Sequence, residues 1–244
     1  MAMQSDLERY NQKAGHSAEI QAVLFDLDGT LADTAPDLAW TLNTLLTEHH
    51  RNPLPFDRIR PVVSHGASAL IQLGFESGTD DPQFAGLRQR FLEIYHDNLA
   101  NETRLFPGMA ALLDDIEQRG MKWGVVTNKP AWLTEPLMLE LKLQPRAACI
   151  ISGDSTRNRK PHPEPMLHAC RHINIPAKHC LYVGDAKRDI EAGHHAGMKA
   201  LIALFGYIGD SDQPWLWQAD GMVNRPQEIL DWIIDYNKTA ARLE

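Results

Sequence analysis

The chain has 244 residues, of which 43% are hydrophobic and 23% charged, a composition that excludes disordered and fibrous proteins. Its net charge of −8 argues against general nucleic-acid binding, because affinity for a phosphate backbone needs clustered lysine and arginine. No apolar run approaches the length that spans a bilayer. We therefore expect a small-molecule partner and neither nucleic acid nor membrane. An anionic substrate would need a local positive site.

The N-terminal residues 1–19 are polar and lack the apolar region of a secretory signal, so they are predicted to be an extension without an assigned role. The three cysteines, Cys149, Cys170 and Cys180, show neither an even count nor the short paired spacing of a disulfide framework. Buried thiols in a reducing cytoplasm are the favoured interpretation. We accordingly expect a cytoplasmic protein, whose oligomeric state the sequence leaves open.

The run AVLFDLDGTL, from Ala22 to Leu31, predicts a strand that is buried on both faces and ends at aspartate and glycine. After Pro36 the apolar spacing becomes helical, and no convincing strand occurs between residues 36 and 103. This segment therefore predicts a small helical insert. The positions that mark its helices are Leu38, Leu42, Leu45, Leu46, Ala67, Leu70, Ile71, Leu87, Phe91, Ile94 and Tyr95.

From Phe106 onward, predicted helices and strands alternate, which indicates parallel strands with helices on both faces of one sheet. The N-terminal strand must join this sheet across the insert. In open parallel sheets, ligands bind beyond the carboxyl ends of the strands. The predicted strands are 123–128, 149–152, 180–185 and 200–204, and the predicted helices are 109–120, 132–141, 163–173, 188–196 and 226–236.

The sequence DLDGT places Asp26 and Asp28 two residues apart just after the first strand, so that both carboxylates can turn toward one site. Asp26 could attack phosphorus to form an aspartyl-phosphate, while Asp28 could protonate the departing alcohol and then activate water. Gly29 would allow the tight backbone turn. Such a pair of aspartates alone fits a turn or a helix cap equally well.

Four segments, DLDGTL, VVTN, the lysine before proline in NRKPHPEP, and VGDAKRD, together resemble the ordered motifs of haloacid dehalogenase-like phosphatases. The resemblance covers the chain from residue 22 to about residue 236. It implies an α/β fold in which helices flank the parallel sheet of a Rossmann-like core and a helical cap domain is inserted. We expect residues 20–34 and 104–240 to form the discontinuous core and residues 35–103 to form the cap.

By this resemblance, Thr127 and Asn128 end the second core strand and hold phosphate oxygens, whereas Lys160 neutralises the phosphate and the Asp26 carboxylate. Asp185 would complete a magnesium site with a carboxylate oxygen of Asp26 and the backbone carbonyl of Asp28, because Mg²⁺ prefers oxygen ligands. Asp189, four residues later, could cap the following helix or orient Lys160; we favour this supporting role over direct metal ligation.

The resemblance also bears on the substrate, because the insert corresponds to the cap of the phosphoglycolate phosphatase and β-phosphoglucomutase branch. Its stretch VVSHGASALI makes Ser64, His65, Gly66 and Ala67 candidates for substrate choice, although an ordinary helix start fits equally well. WGVVTNKP, KPHPEPML, RDIEAG and FGYI resemble bacterial phosphoglycolate phosphatases, and among these the N-acetylmuramic acid 6-phosphate phosphatases of peptidoglycan recycling. In those proteins the cap turn resembles SGGA, so SHGA at 64–67 departs from the pattern at His65.

Three other functions compete with phosphate ester hydrolysis. A haloacid dehalogenase shares the nucleophile but has no use for a second acid, so Asp28 argues against it. A phosphosugar mutase uses the same core and returns the phosphate to a sugar. A non-catalytic phosphometabolite-binding protein would require a broken catalytic set, and none of its expected members is missing.

Overall fold

The computed structural model describes residues 19–241, and its centre is a six-stranded parallel β-sheet. The strands in chain order are β1 (Ala22–Phe25), β2 (Ala32–Asp33), β3 (Arg104–Leu105), β4 (Lys122–Val126), β5 (Ile150–Ile151), β6 (Cys180–Gly184), β7 (Lys199–Ala203) and β8 (Gly221–Val223). The sheet order is β5-β4-β1-β6-β7-β8, whereas β2 and β3 form a separate antiparallel pair. Strand β1 therefore lies between β4 and β6, in the middle of the sheet.

Helices cover both faces of the sheet, as alternation along β1 shows. Val23 and Phe25 enter one hydrophobic cluster, whereas Ala22 and Leu24 point to the opposite face and enter another, which contains Met166. Every position of β1 is buried as a result. The helices that follow β3 are α5 (Met109–Gln118), α6 (Ala131–Glu140), α7 (Glu164–Ile173), α8 (Lys187–His195) and α9 (Gln227–Ala240).

The segment between β2 and β3 is helical, as predicted for residues 36–103. Its helices are α1 (Ala35–Glu48), α2 (Phe56–Ile59), α3 (Gly66–Phe75) and α4 (Phe84–Asp97), with a 3₁₀ helix at Arg60–His65. The predicted apolar positions Leu42, Leu70 and Phe91 are fully buried and share one hydrophobic cluster. We refer to these helices below as the helical insert.

The predicted α/β class with a parallel sheet is confirmed, and the predicted strands correspond to β1, β4, β5, β6 and β7. Three short strands had no counterpart in the sequence prediction: the edge strand β8 and the pair β2 and β3. Cys149, Cys170 and Cys180 are free and buried, in agreement with the thiol interpretation. The predicted extension, residues 1–19, lies outside the described residues except for Glu19. Among residues 19–241, no helix is long and apolar enough to cross a membrane.

The buried carboxylate of Asp37 connects the two segments in which the chain enters and leaves the helical insert. Asp37, in the first turn of α1, accepts hydrogen bonds from the backbone N–H groups of Glu102 and Thr103, both at 2.9 Å, and from Thr103 Oγ1 at 2.6 Å. Because Asp37 is only 3% exposed and Thr103 is fully buried, the two Thr103 donors have little access to water that could replace the carboxylate. The insert is thereby fixed where it leaves and rejoins the core.

Replacing this carboxylate should destabilise the fold. We expect Asp37→Ala to lower the free energy of unfolding by about 3 kcal/mol, because hydrogen bonds to charged groups contribute about 1.5–3 kcal/mol and buried donors are left unpaired. Urea denaturation measures the change. Asp37→Asn, which keeps an acceptor of the same shape, should lose less; a loss below about 1 kcal/mol in Asp37→Ala would contradict this role.

Candidate active site

The carboxyl ends of the central strands bring the predicted site residues together. Asp26 directly follows β1, Thr127 follows β4, and Asp185 follows β6. Because these strands are parallel neighbours, the three side chains reach the same edge of the sheet. A cavity of about 530 Å³ opens there, between the sheet edge and the helical insert. Its walls include Asp26, Asp28, Ser64, His65, Gly66, Thr127 and Asn128 from the predicted set.

Asp26 lies at the base of this cavity and is 4% exposed. Its Oδ1 is 2.9 Å from the Nζ atom of Lys160, and it also accepts a hydrogen bond from the backbone N–H of Leu27. Burial raises the pKa of Asp26 above its usual range, although the Lys160 ammonium opposes this effect. Lys160 therefore orients and partly neutralises the carboxylate predicted to be the nucleophile.

The Lys160 ammonium has three close partners within the protein, two of them carboxylates. Besides Asp26, it contacts Asp189 Oδ1 at 2.7 Å and Tyr182 Oη at 2.8 Å, and its side chain is fully buried. The side-chain amide of Asn128 exchanges two hydrogen bonds with the Lys160 backbone. Lys160 is thus held rigidly beneath the cavity, where it acts on Asp26 directly.

Asp189 both caps the start of α8 and contacts Lys160, the two roles that the sequence left open. Its Oδ2 accepts a hydrogen bond from the backbone N–H of Ala186 at the start of α8, while its Oδ1 faces Lys160. Gly184 is required for this packing, since a Cβ on it would lie 2.4 Å from the Asp189 Cβ. These contacts favour a role for Asp189 in orienting Lys160 over direct metal ligation.

Asp28 is held by two partners, and one of them is in turn bound by the helical insert. Its Oδ1 accepts a hydrogen bond from Thr34 Oγ1 at 2.7 Å and is 2.8 Å from the Nζ atom of Lys129. The same ammonium donates to the hydroxyl of Tyr95, on α4, at 3.1 Å. Asp28 is more exposed than Asp26, because 18% of its side chain is accessible. Its second oxygen is therefore available to the cavity.

Asp185 approaches Asp26 from β6 and contacts the helical insert. Its Oδ2 accepts hydrogen bonds from Ser64 Oγ at 2.6 Å and from the backbone N–H of Tyr207 at 2.8 Å. Its Oδ1 is buried without a hydrogen-bond partner among the described residues. Gly29 makes this approach possible, because it has φ +83° and a Cβ there would lie 2.1 Å from Asp185 Oδ2.

The buried carboxylates form a set of donors that fits a divalent cation. Oxygens of Asp26, Asp185 and Asp189 all lie within 4.8 Å of one another. Burial, reinforced by the negative charges of Asp189 and Asp26, raises the pKa of Asp185 to about 7. A hard, oxygen-preferring ion such as Mg²⁺ would relieve this repulsion and engage the unpartnered Asp185 oxygen. Both oxygens of Asp189 already have contacts, with Lys160 and the Ala186 N–H. Asp26, which contacts Lys160 through Oδ1 only, and Asp185, whose Oδ1 is unpartnered, are therefore the better carboxylate ligands.

The predicted substrate-choice residues of the insert have different positions in the site. Ser64 contacts Asp185, and its backbone carbonyl accepts a hydrogen bond from Arg188 Nη2. His65 and Gly66 line the cavity without such a contact, at the 3₁₀-to-α3 junction where Gly66 has φ +79°. Ser64 therefore joins the insert to the carboxylate cluster, while His65 and Gly66 face the open volume.

Sequence reasoning missed four cations that line the cavity: Arg88, Lys129, Arg159 and Arg188. Lys129 directly follows the VVTN segment, and Arg188 directly precedes Asp189, so adjacency to the motifs was the available signal. These side chains supply the local positive charge that an acidic protein needs around an anionic ligand.

Carboxylates and a buried lysine at the carboxyl edge of a parallel α/β sheet, beneath a helical insert, form the architecture of an enzyme active site. The chain belongs to the haloacid dehalogenase-like hydrolase family, whose model matches residues 23–203. The resemblance carried by the four sequence motifs is thereby confirmed.

Relatives and solved structures agree with this membership. An N-acetylmuramic acid 6-phosphate phosphatase from Pseudomonas putida is 43% identical over 210 residues, which cover 86% of this chain and 94% of that protein. A phosphoglycolate phosphatase from Xanthomonas campestris is 42% identical over 211 residues, which cover 86% and 95%. The crystal structure of a predicted phosphoglycolate phosphatase from Haemophilus somnus has a TM-score of 0.77 and 27% identity, covering 87% of this chain and 97% of that one.

The carboxylate cluster should make Mg²⁺ binding and stability depend on pH. Because the folded-state pKa of Asp185 is raised to about 7, its contribution to stability is present at low pH and is lost as pH rises through 7. Mg²⁺ competes with the proton that binds to the Asp185 carboxylate. We expect Mg²⁺ to raise the melting temperature, relative to EDTA, more at pH 8 than at pH 5.

Thermal denaturation followed by circular dichroism checks this expectation without any substrate. Asp185→Asn is the matched control, because it removes the titrating group while preserving side-chain size. It should abolish most of the Mg²⁺ effect at pH 8. An equal Mg²⁺ shift at both pH values in the unmodified protein would be incompatible with the proposed donor set.

Proposed function

We propose that the protein is a phosphoric monoester hydrolase that uses Mg²⁺ and an aspartyl-phosphate intermediate. The observation that carries this proposal is the position of Asp26, a carboxylate held by Lys160 at the base of a cavity, with Asp28 beside it. Two carboxylates with different surroundings can divide the work of nucleophile and acid/base. The phosphatase names of the relatives support the same reaction.

In the proposed reaction, an oxygen of Asp26 attacks phosphorus as the ester P–O bond breaks. Asp28, in its protonated form, transfers its proton to the departing alcohol oxygen. A water molecule then attacks the phosphorus of the aspartyl-phosphate, and Asp28, now a carboxylate, accepts a proton from that water. Inorganic phosphate leaves with regeneration of the Asp26 carboxylate, and Asp28 ends protonated as it began.

Charge compensation comes from residues around the cavity base. Lys160 reduces the repulsion between Asp26 and an incoming phosphate, and its fully buried ammonium already contacts Asp26, Asp189 and Tyr182. Arg188 lines the cavity, and its charge, like that of Lys160, opposes the rise that burial causes in the pKa of Asp26. We assign phosphate contact to Arg188 and to Thr127 and Asn128 at the end of β4, with Lys160 acting through Asp26.

Mg²⁺ would be held by carboxylate oxygens of Asp26 and Asp185 and by the backbone carbonyl of Asp28. When bound, it supplies positive charge that neutralises the phosphate oxygens and the carboxylate cluster. The protein's own contribution is to keep these oxygens close together. It does so through the Gly29 turn and the donors that Ser64 and Tyr207 provide to Asp185.

We further propose that residues 35–103 act as a cap domain over a core formed by residues 20–34 and 104–240. The contact between Ser64 and Asp185 and the contact between Tyr95 and Lys129 support a cap that touches the reacting groups. Among candidate substrates, a cavity of about 530 Å³ favours a sugar phosphate such as N-acetylmuramic acid 6-phosphate over 2-phosphoglycolate. A role in peptidoglycan recycling in the cytoplasm would follow from that substrate.

A phosphate-release screen tests this function. The purified protein with Mg²⁺ should release phosphate from N-acetylmuramic acid 6-phosphate faster than from 2-phosphoglycolate or glucose 6-phosphate. Asp26→Asn should lower turnover by at least about a thousandfold, because the nucleophile and one metal ligand are lost together. Circular dichroism confirms that the variant remains folded.

The outcomes of the screen separate the competing functions. Full activity in Asp26→Asn would exclude the aspartyl-phosphate mechanism. Isomerised sugar phosphate without inorganic phosphate would identify a mutase. Saturable substrate binding without turnover in the unmodified protein would identify a binding protein.

Lys129 should be a positioning residue for Asp28. We expect Lys129→Met to slow single-turnover cleavage of a sugar phosphate by about tenfold or more, because a proton donor that is free to rotate is poorly placed. Cleavage of p-nitrophenyl phosphate should be much less affected, since p-nitrophenolate leaves without protonation. The test compares the first-turnover rates of the two substrates.

Lys129→Arg, which retains the positive charge, is the control for this comparison. It should recover part of the rate on the sugar phosphate. If Lys129→Met slows both substrates equally, Lys129 serves phosphate binding or folding, and the positioning role is wrong.

A further inference from the structure

We propose that Arg88 forms an anion subsite in the helical insert that binds a carboxylate on the far side of the substrate from the reacting phosphate. This inference rests on the proposed function and specifies its substrate class: a phosphate monoester of a sugar that carries an acidic substituent. The subsite lies on the wall formed by α4, away from the Asp26 carboxylate at the cavity base.

The residues of α4 that line the cavity give an estimate of the distance between the reacting end of the cavity and Arg88. Arg88, Phe91, Leu92 and Tyr95 all line the cavity, and Arg88 and Tyr95 are seven residues apart, which places them on the same face of the helix. Tyr95 marks the reacting end, because its hydroxyl accepts a hydrogen bond from the Lys129 ammonium that contacts Asp28. At 1.5 Å per residue, the Arg88 backbone lies about 10 Å farther along the helix axis.

Arg88 differs from the other cavity cations in its partners. Lys129 pairs with Asp28, Arg159 donates to the Gly153 carbonyl at 2.7 Å, and Arg188 donates to the Ser64 carbonyl. Within residues 19–241, Arg88 has neither a hydrogen bond nor an ion pair. Its five donors are therefore open to a ligand that enters the cavity.

The chemistry of this side chain selects the ligand. A guanidinium group presents paired N–H donors that match the two oxygens of a carboxylate, which makes a bidentate contact specific as well as attractive. The buried rings and chains of Phe91 and Leu92 separate Arg88 from Tyr95, so the middle of the ligand meets apolar surface. A sugar ring with a phosphate at one side and a carboxylate at the other fits this order of contacts.

The distance from Asp26 to Arg88 also distinguishes between the two candidate substrates. In 2-phosphoglycolate a single carbon separates the ester oxygen from the carboxylate, so the molecule cannot span from Asp26 to Arg88. In N-acetylmuramic acid 6-phosphate the phosphate is on C6 and the lactyl carboxylate is attached through O3, across the sugar ring. Arg88 would thus recognise the lactyl group of the second compound.

Two sugar phosphates that differ only in this group provide the test. N-acetylglucosamine 6-phosphate has a free hydroxyl at C3 in place of the lactyl ether and is otherwise the same as N-acetylmuramic acid 6-phosphate. Calorimetry with Mg²⁺ would measure the binding of both to Asp26→Asn protein, with and without Arg88→Met. We expect Arg88→Met to weaken binding of the lactyl compound at least about tenfold, or about 1.4 kcal/mol, and to change the other less than about twofold.

Arg90→Met is the matched control, because Arg90 lies on the same helix but does not line the cavity and pairs with the exposed Glu48. It should alter neither affinity. Arg88→Lys should retain part of the preference, since charge remains but the paired donors are lost. The ratio of kcat/KM for the two compounds, measured with Asp26 intact, should fall in Arg88→Met to the same extent as the affinity ratio.

Each other result overturns the subsite. Equal weakening of both compounds by Arg88→Met, no effect on either, or no binding of the lactyl compound to Asp26→Asn would each exclude it. Because the calorimetry needs no turnover, failure of hydrolysis and failure of the subsite are separate results. Loss of phosphate release in the unmodified protein would refute the hydrolase proposal while leaving a selective binding result in place.

Discussion

The structure depends on keeping several carboxylates buried around one ammonium group. Asp26, Asp185 and Asp189 are each at most 4% exposed, and Lys160 is the buried cation among them. Burying like charges together is costly unless they are neutralised or hydrogen-bonded. The surrounding fold supplies these contacts through Tyr182, Ser64 and the backbone N–H groups of Ala186 and Tyr207. The remaining excess of negative charge is what a divalent cation would offset.

The same requirement explains the backbone around the site. Gly29, Gly184 and Gly206 lie where a Cβ would approach Asp185 or Asp189 within 2.8 Å, so only glycine allows the carboxylates to gather so closely. Asp26 and Asp185 lie together at the carboxyl ends of β1 and β6 because neighbouring strands of a parallel sheet end at one edge. Sheet topology and charge burial therefore act together: the first brings the groups to one place and the second decides which residues can surround them.

Much of this arrangement could be predicted from the sequence, since buried strands that end in Asp or Thr have a strong apolar signal. Asp26 and Thr127 both line the cavity, and oxygens of Asp185 and Asp26 lie within 4.8 Å of each other. Strand β8 was missed because three residues, GMV, give too short a pattern, and β2 and β3 contain only two residues each. Lys129 and Arg188 were missed for another reason. In a sequence, a lysine or arginine of the site cannot be distinguished from one on the surface until its partners are known.

Contacts from the insert are the part that sequence patterns cannot supply. Ser64 lies in a 3₁₀ helix, whereas Arg88 and Tyr95 share α4, and the roles of all three depend on which helix face meets the core. The core carries the cluster of negative charge, whereas Arg88, which has no ion pair among residues 19–241, lies on the insert. In the proposed binding mode, the reacting phosphate is attached to a fixed core and a second anionic group of the substrate is attached to the insert. Under the proposed function, the core determines the reaction and the insert determines which phosphate ester reaches it.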